Sequence, residues 1–285
     1  METLTIAVQK KGRMSDRSLA LFREAGIRFT NGQRKLIALS KDFPVRLLYL
    51  RDDDIPQYVA DGVADAGIVG ENEVLEKNRS VDVAKKLGFA SCRLSLAIPK
   101  EVSYAGVQWF DGKRIATSYP QILTKYLLEK GIRAEVHQIS GSVEIAPGIG
   151  LADAIFDIVS SGSTLISNGL QEVEVVLQSE AVLIRNMALS DEKQALLNQL
   201  LFRINAARAA EDNKYILLNA PNNRLEEIVA LIPGMKSPTI VPLADKKWSS
   251  VHSVVKESEF WQVIDKLQDA GAEGILVVSL EKMIV

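Results

Sequence analysis

The feature that most constrains this chain is its alternation of short apolar runs with amphipathic stretches of helical period. Residues 4–8 (Leu4, Thr5, Ile6, Ala7, Val8) read as a buried strand, and residues 15–25 as a helix that Gly26 stops in the left-handed conformation. Residues 36–39 and 45–50 add strands. Residues 53–62 read as a helix with Pro56 in its first turn, where the missing N–H does no harm, and residues 65–70 return as a strand. This is α/β wiring.

A second unit of the same kind begins near Cys92. Its strands cover residues 92–99, 114–117 and 134–139, and its helix covers residues 120–130, stopped by Gly131. The run Gly62, Val63, Ala64, Asp65, Ala66 is echoed by Gly150, Leu151, Ala152, Asp153, Ala154. Two readings stay open. The echo is either shared helix-to-strand turn chemistry or the mark of two similarly built lobes, each presenting an acidic turn to a cleft. Residues 172–184 are a strand-rich return, and a long helix follows at residues 191–211. Beyond Asp212 and Asn213 the order becomes β-α-β-β-α-β (strands 215–218, 239–243, 251–255 and 274–280; helices 223–231 and 258–269). That ferredoxin-like set can fold as its own domain.

Composition narrows the function. Lys+Arg total 34 and Asp+Glu 36, for a net charge of −2, so no general basic face for nucleic acid is expected. No apolar run reaches membrane-spanning length, and the first residues lack a secretory pattern, so a cytoplasmic protein is expected. One cysteine, Cys92, excludes an intrachain disulfide and a cysteine zinc cluster; it reads as a small buried hydrophobe.

Residues 144–165 carry the chemistry. An apolar strand at residues 154–159, with Asp153 just before it and Asp157 within it, runs into Ser160, Ser161, Gly162, Ser163 and Thr164, after which a helix can start. Successive N–H groups and hydroxyls in such a loop converge on an anion. Gly162 would let the backbone approach a phosphate. Asp153 and Asp157 could accept hydrogen bonds from sugar hydroxyls or hold magnesium through water. A plain helix-capping turn is the competing reading. Neither a Walker loop nor a dinucleotide glycine fingerprint is present.

This stretch resembles the signature of the ATP phosphoribosyltransferase family, the first enzyme of histidine biosynthesis. Its constrained positions are filled by Glu144, Gly150, Ala152, Ile155, Asp157, Ile158, Ser161, Gly162, Thr164 and Leu165. Further segments resembling the family lie at residues 9–13, 51–56, 65–72, 92–97 and 114–120. The C-terminal module resembles the regulatory domain of the family's long form. The resemblance implies an α/β fold: a two-lobed catalytic core like periplasmic-binding proteins plus a ferredoxin-like (ACT-like) regulatory domain. Lobe I would comprise residues 1–90 with 178–213, lobe II residues 91–177, and the regulatory domain residues 214–285.

The resemblance further implies transfer of phosphoribose from phosphoribosyl pyrophosphate to N1 of ATP's adenine, with Mg2+, histidine as inhibitor, and a homo-oligomer (dimer and/or hexamer). On this reading Ser160, Ser161, Gly162, Ser163 and Thr164 hold the 5′-phosphate. Asp153, Asp157 and Glu144 serve the ribose and the charge at C1, and Asp153 and Asp157 also serve the metal. Lys10, Gly12, Arg13, Arg51, Asp65, Gly67, Gly70, Glu71, Arg93, Thr117 and Ser118 are the expected ATP-side residues; Arg93 is included because a charge inside an apolar strand needs a partner. Ser237, Thr239, Gly271, Ala272 and Gly274 are the candidates for histidine. A non-catalytic protein that closes on a small anion is the competing class.

Overall fold

The computed structural model describes residues 2–30, 36–232 and 237–284. The first sheet is built from β1 (Leu4–Gln9), β2 (Ile37–Leu39), β3 (Val45–Leu50), β4 (Ala66–Gly70) and β5 (Val81–Lys86), with helices α1 (Arg13–Glu24), α2 (Ile55–Ala60) and α3 (Glu71–Lys77) between them. The chain then crosses to a second sheet of β6 (Cys92–Pro99), β7 (Arg114–Thr117), β8 (Glu135–Gln138), β9 (Ala154–Val159) and β10 (Leu170–Ser179), with α4 (Pro120–Glu129) and α5 (Ser163–Ser167). It returns as β11 (Ala181–Asn186), which completes the first sheet in the order β2-β3-β1-β4-β11-β5; the second runs β10-β6-β9-β7-β8.

These are the two lobes of the expected core, and the two crossings between them lie side by side. Leu87 N–H donates to the Ala181 carbonyl and Ala181 N–H to that of Phe89, each at 2.9 Å. Further bonds hold the lobes together next to these crossings. Ser179 Oγ donates to Asn72 Oδ1 at 2.9 Å, and Glu76 accepts the Gln121 and Ile122 N–H groups at the start of α4, both at 3.0 Å.

In each lobe three adjacent strands are parallel: β3, β1 and β4 in the first, β8, β7 and β9 in the second. Their buried residues (Leu4, Ile6, Ile68; Ile115, Phe156) leave a sheet whose carboxyl ends are the ligand-binding edge.

The C-terminal module follows α6 (Asp191–Glu211) and comprises β12 (Asn213–Pro221), α7 (Leu225–Leu231), β13 (Thr239–Pro242), β14 (Trp248–Lys256), α8 (Glu257–Asp269) and β15 (Glu273–Ser279). That is the expected β-α-β-β-α-β order. Its antiparallel sheet runs β13-β14-β12-β15 over a core of Ile216, Leu218, Ile228, Val251, Phe260 and Leu267. By contacts the chain divides within α6: Leu197–Val285 group with Leu21–Ile27, and Met1–Ala20 with Arg28–Leu196. No described helix is long and apolar enough to cross a membrane.

Candidate active site

The loop after β9 is the centre of the site. β9 ends at Val159, Gly162 adopts φ +81° as the cap of α5, and Ser161 and Ser163 share a 2.9 Å hydroxyl contact. The left-handed φ is what demands glycine here. An added Cβ would meet only Val159 Cγ1 at 3.9 Å, so crowding within the chain itself is not the constraint.

Residues 160–164 line a cleft of about 410 Å³ together with Arg13, Glu144, Asp157, Ile158, Val159 and Leu165. Both lobes thus contribute, because Arg13 begins α1. Asp157 sits on β9 opposite Ser95, which is 1% exposed. Burial pushes the Asp157 carboxyl up to about 6, against backbone hydrogen bonding that lowers it, and the Glu144 charge adds to the rise.

On the other lobe, Lys10, Arg51 and Gly70 immediately follow or end three adjacent parallel strands, so they share one sheet edge with Gly12 and Glu71. Gly12 turns the chain at φ +101°. Glu71 pairs with Lys86 at 2.9 Å and Arg51 with Asp53 at 3.2 Å. Gly70 has no room for a Cβ because the Asn72 side chain lies against it.

The structure turns six expected site residues to other partners. Asp153 precedes β9, at the opposite end of the strand from the residue 160–164 loop. There it accepts the Arg114 N–H at 2.9 Å and pairs with that guanidinium at 3.0 Å, which holds its carboxyl below the usual range. Its carboxylate is thus taken up by Arg114, away from the residue 160–164 loop. Asp65 precedes β4 in the same way, 5% exposed, accepting Thr5 N–H at 2.7 Å and the Lys193 ammonium at 2.8 Å. Gly67 lies mid-strand, where a Cβ would come within 2.6 Å of Ile55 Cγ2; its smallness seats α2 on β4. Thr117 is fully buried and its hydroxyl accepts Tyr119 N–H at 2.8 Å. Arg93 gives two nitrogens to Glu172, each at 2.6 Å, and the third to the Ser160 carbonyl at 3.1 Å. The Ser118 hydroxyl, too, is spent locally, donating to Ile139 O at 2.8 Å.

Sequence reasoning missed a polar knot where the lobes meet. Asn72 Nδ2 donates to the Tyr119 hydroxyl at 3.4 Å, and Glu73, 8% exposed, has its carboxyl raised by burial and by Asp52. The clue was Glu73 and Glu76 on a helix face that turns inward.

A family model described as ATP phosphoribosyltransferase matches residues 51–206, more than half of the chain, and one described as HisG, C-terminal domain matches residues 210–282. The chain belongs to the ATP phosphoribosyltransferase family. It is of the long form, carrying the C-terminal module in the same polypeptide. Proteins named ATP phosphoribosyltransferase from Bacteroides thetaiotaomicron and Parabacteroides distasonis are 60% and 62% identical to it over 282 residues, covering 99% of this chain and all of theirs. A solved ATP phosphoribosyl transferase (HisG:HisZ) complex from Thermotoga maritima has a chain 28% identical, with TM-score 0.61; the match covers 71% of this chain and 98% of that one. The chain is accordingly an enzyme of phosphoribosyl transfer.

Proposed function

We propose that the enzyme joins C1 of phosphoribosyl pyrophosphate to N1 of ATP's adenine, releasing pyrophosphate as the first step of histidine biosynthesis. One observation carries this reading: the Ser160–Thr164 loop, Asp157, Glu144 and the Arg13 guanidinium line a single cleft. The loop holds the 5′-phosphate, the carboxylates face the ribose and the positive charge growing at C1, and Arg13 reaches the departing pyrophosphate from the other lobe. ATP lies on the edge formed by Lys10, Gly12, Arg51, Gly70 and Glu71. Adenine N1 attacks with a lone pair it already has, so positioning and electrostatics suffice without a base.

Magnesium fits this cleft in a limited way. The described residues hold no group of three or more metal-ligating side chains, but Asp157 and Glu144 suit a largely hydrated ion carried by substrate phosphates. Bound there, Mg2+ would neutralise the leaving pyrophosphate.

Mixing enzyme, Mg2+, ATP and phosphoribosyl pyrophosphate should change the ultraviolet absorbance as the adenine is alkylated; saturable binding without turnover would refute the reading. Arg13→Ala should weaken phosphoribosyl pyrophosphate by about 1.5–3 kcal/mol, the range for a charged hydrogen bond. Titration calorimetry showing wild-type affinity for both substrates would make Arg13 a surface cation.

Regulation by histidine belongs to the C-terminal module. Thr239 begins β13 and the segment from Gly271 to Gly274 leads into β15, at opposite edges of a four-stranded sheet. Three strand spacings, about 14 Å, separate those edges. One histidine therefore touches both segments, including Ser237 and Ala272, only where two copies meet, which supports a homo-oligomer. Thr239→Tyr should raise the histidine concentration for half-inhibition about ten-fold or more, within the usual size of allosteric coupling, and leave uninhibited turnover alone. Unchanged potency would place the inhibitor elsewhere.

A further inference from the structure

Arg93 and Glu172 stand beside the phosphate loop, and the inference drawn from them rests on the proposed reading of residues 160–164. We propose that Arg93, gripped by Glu172, is a positioning residue that sets how the loop meets the 5′-phosphate while touching neither substrate.

Arg93 on β6 pairs with Val159 of β9, the last residue before the loop. Each of its three nitrogens makes a hydrogen bond. Nε and Nη2 meet the two Glu172 oxygens at 2.6 Å, and Nη1 reaches over the strand end to the Ser160 carbonyl at 3.1 Å. The buried Ser95 hydroxyl donates to the same Glu172 Oε1 at 2.6 Å, so the carboxylate is itself held. The pair is only partly exposed, 28% for Arg93 and 24% for Glu172.

The backbone of β10 is built to aim Glu172. Glu172 pairs with Ala97 and Glu174 with Leu96, so Val173 is an extra residue, a β-bulge. Without it, two residues spaced by two would share a sheet face. With it, Glu172 joins Arg93 and Ser95, whereas Glu174 accepts the Tyr104 hydroxyl at 2.5 Å beside the other core.

The loop's remaining hydrogen bonds are local. Ser161 meets Ser163, Ser163 N–H donates to Ser161 Oγ at 3.4 Å, and Ile166 N–H to Gly162 O at 3.1 Å. Among the described residues, Arg93 supplies the hydrogen bond that ties residues 160–164 to a distant side chain. Removing the anchor leaves the loop folded and its height over β9 unset. A lysine cannot replace it, because one ammonium cannot grip a carboxylate by two parallel bonds and reach a carbonyl as well.

The experiment compares Glu172→Gln, Arg93→Lys and Gly162→Val in the full-length enzyme, by steady-state kinetics for each substrate, calorimetric binding of phosphoribosyl pyrophosphate, and Tm. Glu172→Gln and Arg93→Lys should raise KM and Kd for phosphoribosyl pyrophosphate about ten-fold, as for one lost charge-assisted hydrogen bond, and shift KM for ATP less than about two-fold. A larger effect on ATP would make Arg93 a substrate contact and overturn the proposal. Equal losses for both substrates with a lowered Tm would reduce the pair to a strut, also overturning it. Wild-type affinity in both variants while Gly162→Val loses binding defeats the positioning role and leaves the loop reading standing. Wild-type binding by Gly162→Val defeats the loop reading itself.

Discussion

Asp157→Asn is expected to make the protein more stable and nearly inactive. The wild-type carboxyl is pushed from 3.8 to about 6 by burial, so its ionised form is costly in the fold. That rise corresponds to about 1–3 kcal/mol, allowing for the site's partial exposure. Because the folded pKa is raised, this group's stabilising contribution is full below the unfolded value and is lost as pH rises through about 6. Asp153 and Glu172, lowered by their arginine partners, act oppositely, losing stability as pH falls. The difference in Tm between wild type and Asp157→Asn isolates Asp157: it should be small at pH 4 and grow toward pH 7. Activity should fall about 100-fold or more, the size of a missing electrostatic contact to developing charge. The wild-type kcat/KM should show an acid limb near pH 6 that the variant lacks. A variant that is less stable at pH 7, or fully active, would refute this account of Asp157.

The alternation of strands and helices was legible because each element's period or stop signal is local. The strands at residues 92–99 and 154–159 and the long helix α6 lie where their apolar spacing puts them. α3 and β5 escaped. α3 buries Asn72, Glu73 and Glu76 rather than an apolar stripe, and β5 is a half-exposed edge strand of Val81, Asp82, Val83, Ala84, Lys85 and Lys86. In the candidate site, the grouping of the loop with Asp157 was readable because these residues form one contiguous string. Glu172 was not, since only a bulge in β10 brings it to Arg93, 79 residues away in sequence. The same limit misplaced Asp65 and Asp153: a short motif reveals that an acid is constrained, but the direction of its strand decides which edge it occupies.

Those two aspartates give the second large effect, and it is on stability. In each lobe the same pattern recurs. Asp65 N–H donates to the Thr5 carbonyl at 2.9 Å and its carboxylate accepts Thr5 N–H; Asp153 N–H donates to the Arg114 carbonyl at 2.8 Å and its carboxylate accepts Arg114 N–H. Each acid therefore clasps a residue at the start of the neighbouring parallel strand, beside the registers Ile6 to Ala66 and Ile115 to Ala154. The echoed run is a strand-starting clamp, repeated because the lobes are built alike, and it points away from the cleft. Asp65→Ala strands the Lys193 ammonium and a buried N–H together, which should cost about 2–4 kcal/mol and lower Tm by roughly 5–15 °C. Asp153→Ala should cost less, since Arg114 is 41% exposed and recovers water. In both variants KM for ATP and for phosphoribosyl pyrophosphate should stay within about two-fold of wild type below the melting range, because no substrate reaches that edge of the sheet. A selective rise in either KM with an unchanged Tm would return these acids to the active site and break the clamp assignment.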